Sequence, residues 1–366
     1  MRSMPSINLS RIGELSLLEQ VREDYGKKSK DILVGIGDDA AVLRTRDEYL
    51  LITTDMMVEK VHFDLRFVTA YQVGFKLISV NVSDICAMGG NPLYVLLNVA
   101  MSGRVTKEFF DAFFTGVEDA MSLYQVRLIG GDISSTDKDM CVSATLIGYT
   151  KKYIKRSGAK AGDRIYVTGN LGDSACGFEL LKKIKMPIPI EHRRATLSVR
   201  RAVPSPVRAG GKSDMRGLNY RLDKLGLSWK TIEPLVRRHL MPVARNPRKI
   251  SRIASAMIDI SDGLLIDLSR LCDESGTGAR IYEKNIPVSS GMKRATADLG
   301  INSLKLALSG GEDYELLFTV TPGKKVEAIY IGDIIESERA IVDRQGRVRS
   351  FSADGYRHFI KEKEKI

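Results

Sequence analysis

Cysteine is scarce in this 366-residue sequence. Cys86, Cys141, Cys176 and Cys272 lie far apart, with no CxxC spacing. That excludes a disulfide scaffold and a cysteine-based zinc framework, and predicts reduced, mostly buried thiols in a cytoplasmic protein. Long apolar runs are missing too. No stretch approaches the roughly 18 residues that a spanning helix needs. Met1 to Asp24 intersperses Arg11, Glu14, Glu19, Arg22 and Glu23 among its apolar residues, a pattern unlike a signal peptide. No intact nucleotide fingerprint is present. Gly210-Gly211-Lys212-Ser213 ends like a P-loop, but Pro206 stands where the first glycine belongs, and Gly26-Lys27 fails at Val21. Residues 35–40 (GIGDDA) loosely match a dinucleotide loop, yet Asp38 and Asp39 would then repel the pyrophosphate.

What is present is a globular composition, 43% hydrophobic and 28% charged, with a formal net charge of +11. The length suits two domains. More than half of the positive excess falls between Lys185 and Arg216, where eight basic residues face only Glu191 and Asp214. Pro187, Pro189, Pro204, Pro206, Gly210 and Gly211 make that segment an irregular insertion. A solvated surface loop is one reading. A docking surface for acidic ligands or RNA is the other, although no aromatic interleaving supports base stacking.

Apolar periodicity predicts a helix over Ile12–Val21, strands at Ile32–Ile36 and Leu50–Thr54, and a helix over Ala70–Met88. A strand at Leu93–Met101, a helix over Val105–Tyr124 and strands at Val126–Ile129 and Cys141–Gly148 follow. The turn-rich run Arg156–Asp163 marks the boundary between halves, so the expected domains are residues 1–152 and 153–366, with the basic insertion at about 185–228. Beyond the boundary come strands at Ile165–Thr168, Met257–Ile260, Ala279–Glu283 and Glu315–Thr319. Helices are expected over Ser174–Ile184, Lys230–Leu240 and Leu264–Cys272. The order of elements predicts an α+β protein, each half a sheet covered by helices.

The chemistry lies in aspartates that follow apolar strands: Asp38-Asp39, Asp55, Asp84, Asp132, Asp259 and Asp262. Carboxylates delivered to one edge repel one another unless divalent cations neutralise them, and oxygen-only donors suit Mg²⁺. Thr53 and Thr54 stand beside Asp55, and doubled glycines precede Asp132 and the Glu312-Asp313 pair. Asp262 has a plainer reading as the cap of the helix beginning near Leu264. Taken together, the set predicts a Mg²⁺-dependent phosphate enzyme without a P-loop.

These residues also carry a family resemblance. IGDDAAVL (36–43), TTDMMVEKVHF (53–63), NVSDICAMG (81–89) and Gly130–Asp132 resemble the N-terminal half of thiamine-monophosphate kinases. RSGAKAGDRIYVTGNLG (156–172), HLMP (239–242), DISDGL (259–264) and SGGEDYELL (309–317) resemble the C-terminal half. The resemblance implies the two-domain fold shared with aminoimidazole-ribonucleotide synthetase and selenophosphate synthetase, and a homodimer joined through the N-terminal sheets. It implies transfer of the γ-phosphate of ATP to thiamine monophosphate. It further implies that Asp39, Thr53, Thr54, Asp55, Asp84, Asp132, Asp259 and Asp262 hold several Mg²⁺ ions, that Gly131, Asp132, Arg156 and Ser261 contact ATP, and that His62, Glu312 and Tyr356 contact the acceptor. His62 and Tyr356 have plainer readings as core residues, and Arg156 as a tie between linker and surface. Absence of cysteine before Cys86 argues against a selenophosphate synthetase. The remaining alternatives are an aminoimidazole-ribonucleotide synthetase and a non-catalytic RNA- or anion-binding module. The connection before His239 is longer than usual for the family and strongly basic.

Overall fold

The computed structural model describes residues 12–26, 29–188, 190, 221–222, 225–353 and 355–356. Most of the basic insertion, and with it the question of its partners, lies outside the described residues.

The N-terminal half runs α1 (Glu14–Tyr25), β1 (Ile32–Val34), β2 (Ala41–Arg44), β3 (Tyr49–Val58), α2 (Ala70–Ala87), β4 (Asn91–Ser102), α3 (Lys107–Tyr124), β5 (Arg127–Thr136) and β6 (Cys141–Thr150). Its six-stranded sheet has the order β1-β2-β3-β6-β4-β5. Only β4 and β5 pair in parallel; β3 and β6 run antiparallel from Tyr49 opposite Thr150 to Val58 opposite Cys141. Helix α2 is apolar nearly all round, and its burial follows: every residue but Asp84 is buried. Its start is fixed by Thr69 and Gln72, each side chain bonded to the other's backbone N–H. Helices α2 and α3 cross closely because Gly74 and Gly116 face the partner backbone. A Cβ on Gly116 would stand 1.9 Å from the Tyr71 carbonyl oxygen.

The C-terminal half runs β7 (Arg164–Val167), α4 (Asp173–Ile184), α5 (Trp229–Leu240), β8 (Ala256–Asp259), α6 (Leu264–Ser275), β9 (Gly278–Tyr282), α7 (Ser290–Leu299), α8 (Ser303–Ser309), β10 (Leu316–Val320), β11 (Ile329–Ile335), β12 (Arg339–Val342) and β13 (Val348–Ser350). Seven strands form the order β13-β12-β9-β11-β7-β10-β8. The α+β architecture expected from the sequence is therefore present. Strands β2 and β11–β13 and helices α7 and α8 escaped the periodicity reading. Strand β2 is four residues long, and β13 is fully exposed, so neither carries an alternating apolar pattern.

One apolar cluster runs through both halves, from Val42 and Phe75 to Leu268 and Ile334. Polar ties cross the same seam. Tyr124 on α3 donates to Ser79 Oγ at 3.1 Å and accepts the Ala244 N–H at 3.0 Å. The insertion's flank is anchored as well: Gln72 Nε2 donates to the Ile188 carbonyl at 2.6 Å.

Candidate active site

Four elements deliver carboxylates to the seam between the sheets. Asp39 sits in the turn between β1 and β2, Asp55 on β3, Asp84 in the last turn of α2, and Asp259 at the end of β8. Oxygens of Asp39, Asp84 and Asp259 all lie within 4.8 Å of one another. Hydroxyls orient two of these carboxylates: Thr53 Oγ1 donates to Asp84 Oδ2 at 2.6 Å, and Ser83 Oγ to Asp259 Oδ2 at 2.5 Å. The Asp55 N–H is held by Asn81 Oδ1 at 3.0 Å.

The electrostatics are those of an under-neutralised cluster. Burial, reinforced by neighbouring carboxylates, pushes Asp84 and Asp259 well above the ordinary range. Asp55 rises to about 6 through burial and the charges of Asp262 and Asp39. Asp38 rises to about 7 through burial and Asp39. One protein cation reaches in. Arg156 donates to Asp39 Oδ1 from Nη2 at 2.6 Å and from Nε at 3.2 Å, and its backbone N–H donates to Asp38. Among the described residues, buried Asp39 Oδ2 finds no hydrogen-bond partner. A buried carboxylate oxygen with nothing to accept is costly, and these all-oxygen donors fit a hard divalent cation.

Asp262 does not cap α6, the plainer reading. The N-cap is Gly263, and the Asp267 carboxylate accepts the N–H groups of Asp262 and Gly263 at 3.0 Å each. The Asp262 side chain instead pairs with Arg270 at 2.6 Å. Two residues of the expected metal set are not brought to the cluster. Alternation along β3 turns Thr54 to the face opposite Thr53 and Asp55, where its hydroxyl donates to the Ala144 carbonyl at 3.2 Å. Asp132 lies on the exposed strand β5, opposite Asn98 of β4. Beside it, Gly131 (φ 148°) runs so close to β4 that a Cβ would stand 1.9 Å from the Leu97 carbonyl oxygen.

Glu312, expected from the sequence to meet the acceptor, lies at a second polar centre. Glu312 and Tyr314 both adopt positive φ, 65° and 50°. Such strain in non-glycine residues persists only where the surroundings hold it. Here the Glu312 N–H donates to the Ser261 carbonyl at 2.6 Å and the Tyr314 N–H to the Ile260 carbonyl at 2.9 Å, strapping the segment against the end of β8. Lys76 of α2 lies 2.5 Å from Glu312 Oε1, and His239 Nδ1 lies 3.1 Å from Oε2. Below them the fully buried Glu315 pairs with Arg238 and Arg245. The Tyr314 ring is buried, and that burial, reinforced by the negative charges of Glu312, Asp55, Asp259 and Asp262, raises its hydroxyl pKa. Tyr356 is half-exposed, and its N–H donates to the Asp262 carbonyl at 3.1 Å, bringing the last described segment to the site. His62 sits partly buried in the turn after β3, its Nδ1 accepting the Val58 N–H at 3.0 Å. Lys76, His239, Arg270 and Tyr314 were absent from the expected set. Lys76 left a signal of its own: Lys76 and Asp84 are the sole charged residues between Ala70 and Met88, while His239 and Tyr314 lie within the HLMP and SGGEDYELL motifs. A charge in so apolar a helix must find a partner.

The chain is similar to known proteins over most of its length. The model for the N-terminal domain of AIR synthase related proteins matches residues 37–150, and that for the C-terminal domain matches residues 229–346. The thiamine-monophosphate kinase of Aquifex aeolicus is 32% identical over 96% of this chain and all of its own length. That of Salmonella typhimurium is 34% identical over 84% of this chain and 82% of its own. A solved structure of AaThiL complexed with AMPPCP and TMP superposes with a TM-score of 0.77 at 30% identity, covering 97% of this chain and 100% of that one.

Proposed function

Since the chain belongs to the thiamine-monophosphate kinase family, we propose that it transfers the γ-phosphate of ATP to thiamine monophosphate, giving thiamine diphosphate and ADP. The observation that carries the reading is the meeting of Asp39, Asp84 and Asp259 from both halves, with one Asp39 oxygen left unpartnered. The acceptor is itself a phosphate with a second pKa of about 6, so it is largely ionised at neutral pH and needs no general base. The barrier is the approach of two anions, on the order of 4 kcal/mol per unit-charge pair at about 4 Å in an effective dielectric of about 20.

Asp39, Asp84 and Asp259 would hold Mg²⁺, with Asp55 and Asp262 at its margin. When bound, Mg²⁺ supplies charge neutralisation and alignment of the phosphates. Thr53 and Ser83 keep Asp84 and Asp259 turned inward. Arg156 supplies fixed positive charge through Asp39, and Ser261 and Gly131 line the nucleotide's approach. Glu312 accepts hydrogen bonds from the aminopyrimidine beside Tyr356, and His62 contacts the acceptor from the turn after β3. Thr54 and Asp132 take part in this reading only if the loaded site is completed from β5 and the far face of β3. That completion would accompany pairing with a second copy. Leu128, Ile129 and Ile133 leave β5 with exposed apolar side chains, which supports a homodimer. Among the described residues no helix is long and apolar enough to cross a membrane. A cytoplasmic location accords with that and with the unpaired cysteines.

The test is to incubate the chain with ATP, Mg²⁺ and thiamine monophosphate and follow both products by chromatography. Equimolar thiamine diphosphate and ADP, abolished by EDTA, is the expected result. ADP without thiamine diphosphate would overturn the acceptor assignment, and turnover undiminished by EDTA would overturn the metal's role.

A further inference from the structure

Lysine is rarely buried unless it is paired. Lys76 is 4% exposed in the middle of α2, and its ammonium faces Glu312 Oε1 at 2.5 Å. The pair spans the seam, because α2 belongs to the six-stranded half and Glu312 to the seven-stranded half. The second Glu312 oxygen is engaged by His239 Nδ1 at 3.1 Å. His239 is fixed in turn by Ser174 Oγ at 3.2 Å and by the ring of Phe178, whose centroid is 5.0 Å away. Burial and the Lys76 charge keep His239 on the neutral side, so its Nδ1–H donates without adding charge. Lys76 and His239 hold Glu312 well below the usual carboxylate range. The other ionisable groups facing Glu312 are the phenols of Tyr314 and Tyr356.

We infer that Lys76 is a positioning residue for acceptor recognition: with His239 it fixes Glu312 ionised and in one orientation, so that its remaining lone pairs accept from the acceptor's amine. This rests on the kinase reading. The Lys76 cation cancels the Glu312 charge, so the pocket offers a hydrogen-bond acceptor without net negative charge, which suits a neutral amino-heterocycle better than a cationic amine. The side chain of Glu312 remains 30% exposed, enough for a ligand to reach it. Without Lys76 burial dominates, Glu312 takes up its proton at higher pH, and a protonated carboxyl no longer accepts at both oxygens.

The experiment compares the full-length wild type with Lys76→Met, Lys76→Arg, Glu312→Gln and the Lys76→Met/Glu312→Gln double variant. It measures KM for thiamine monophosphate and for ATP across pH 5–9, with binding of thiamine monophosphate measured by calorimetry. Expected for Lys76→Met are a rise of about tenfold or more in acceptor KM, an ATP KM within about twofold of wild type, and an acid limb of kcat/KM moved to higher pH. Lys76→Arg restores most of both. In the Glu312→Gln background, Lys76→Met adds little to acceptor KM, because the two residues act as one unit. Unchanged acceptor KM and acid limb in Lys76→Met would overturn the inference, as would equal rises in both KM values. If Lys76→Met does not fold, His239→Gln carries the same comparison. A wild type that neither forms thiamine diphosphate nor binds thiamine monophosphate would overturn the kinase reading itself. An active wild type indifferent to Lys76 would overturn only the inference.

Discussion

Two acidic centres lie within one seam and have opposite electrostatics. Around Asp39, Asp84 and Asp259, carboxylates face carboxylates, and among the described residues Arg156 is the cation paired with Asp39; burial and repulsion push Asp84 and Asp259 up. At Glu312 a single carboxylate meets Lys76 and His239, and its pKa is pulled down. The first centre is built short of cations and the second carries its own. A group that arrives with its charge, an ion and a polyphosphate, suits the former; a neutral heterocycle suits the latter.

The strongest way to break the comparison is at the metal carboxylates. Asp84→Asn and Asp259→Asn should each lower kcat by roughly 100-fold or more at saturating Mg²⁺. A fall of about tenfold or less for Asp84→Asn in steady-state assays would count against clamping. The same substitutions relieve repulsion, so at pH 8 without divalent ions the variants should melt a few degrees above wild type by calorimetry.

Next in size is Glu312→Gln. It removes the charge that Lys76 balances and leaves that ammonium buried and unpaired. Acceptor KM should rise about tenfold with ATP KM little changed, in the same two-substrate assay.

The pH dependence sharpens the contrast further. Asp55 moves from 3.8 to about 6 and Asp38 from 3.8 to about 7 on folding. Carboxyls with raised values contribute their stability at low pH and lose it as pH climbs through the folded value. The metal-free protein should therefore melt lower at pH 8 than at pH 5.5, by a few degrees, and millimolar Mg²⁺ should close the gap. Glu312 has the opposite sign. Its stabilisation is present above its unfolded value and is lost only under strong acid, so it contributes nothing to that difference.

The smallest effect is expected at Arg270. Its guanidinium pairs with Asp262 and Asp267, both at the margin of the cluster. Arg270→Gln should free Asp262 and tighten apparent Mg²⁺ affinity by about two- to fivefold in a titration followed by calorimetry. Weaker affinity would assign Arg270 to orientation of Asp262 instead.

The sequence reading of fold and site failed where the physics is non-local. Helix α2 and the paired strands β3 and β6 were legible because burial imposes a period on their residues. The aspartates were legible as a set, and Asp39, Asp84 and Asp259 do meet, but the expected turn after an apolar strand holds for few of them: Asp84 is in the last turn of α2, and Asp55 and Asp132 lie within strands. Thr54 was grouped with Thr53 because they are neighbours in sequence, although adjacent strand residues face opposite sides. The pairings between distant segments left no local mark, even where one member stands in a motif: Ser83 with Asp259, Arg270 with Asp262, His239 with Glu312. Lys76 was detectable in principle, as an unexplained charge within an apolar helix. The left-handed backbone at Glu312 and Tyr314 is equally a product of assembly, since the Ser261 and Ile260 carbonyls that hold it come from the strand end before α6.

Asp39 and Asp84 are anchored in the six-stranded half, Asp259 in the seven-stranded half, and an ion gripped by all three is a rivet as well as a catalyst. Loading it would couple the stiffness of the whole chain to nucleotide supply. Amide hydrogens along the seam, those of Ser83 and Ile260 among them, should exchange more slowly in the loaded enzyme, while the outer strands β1 and β13 keep their own pace.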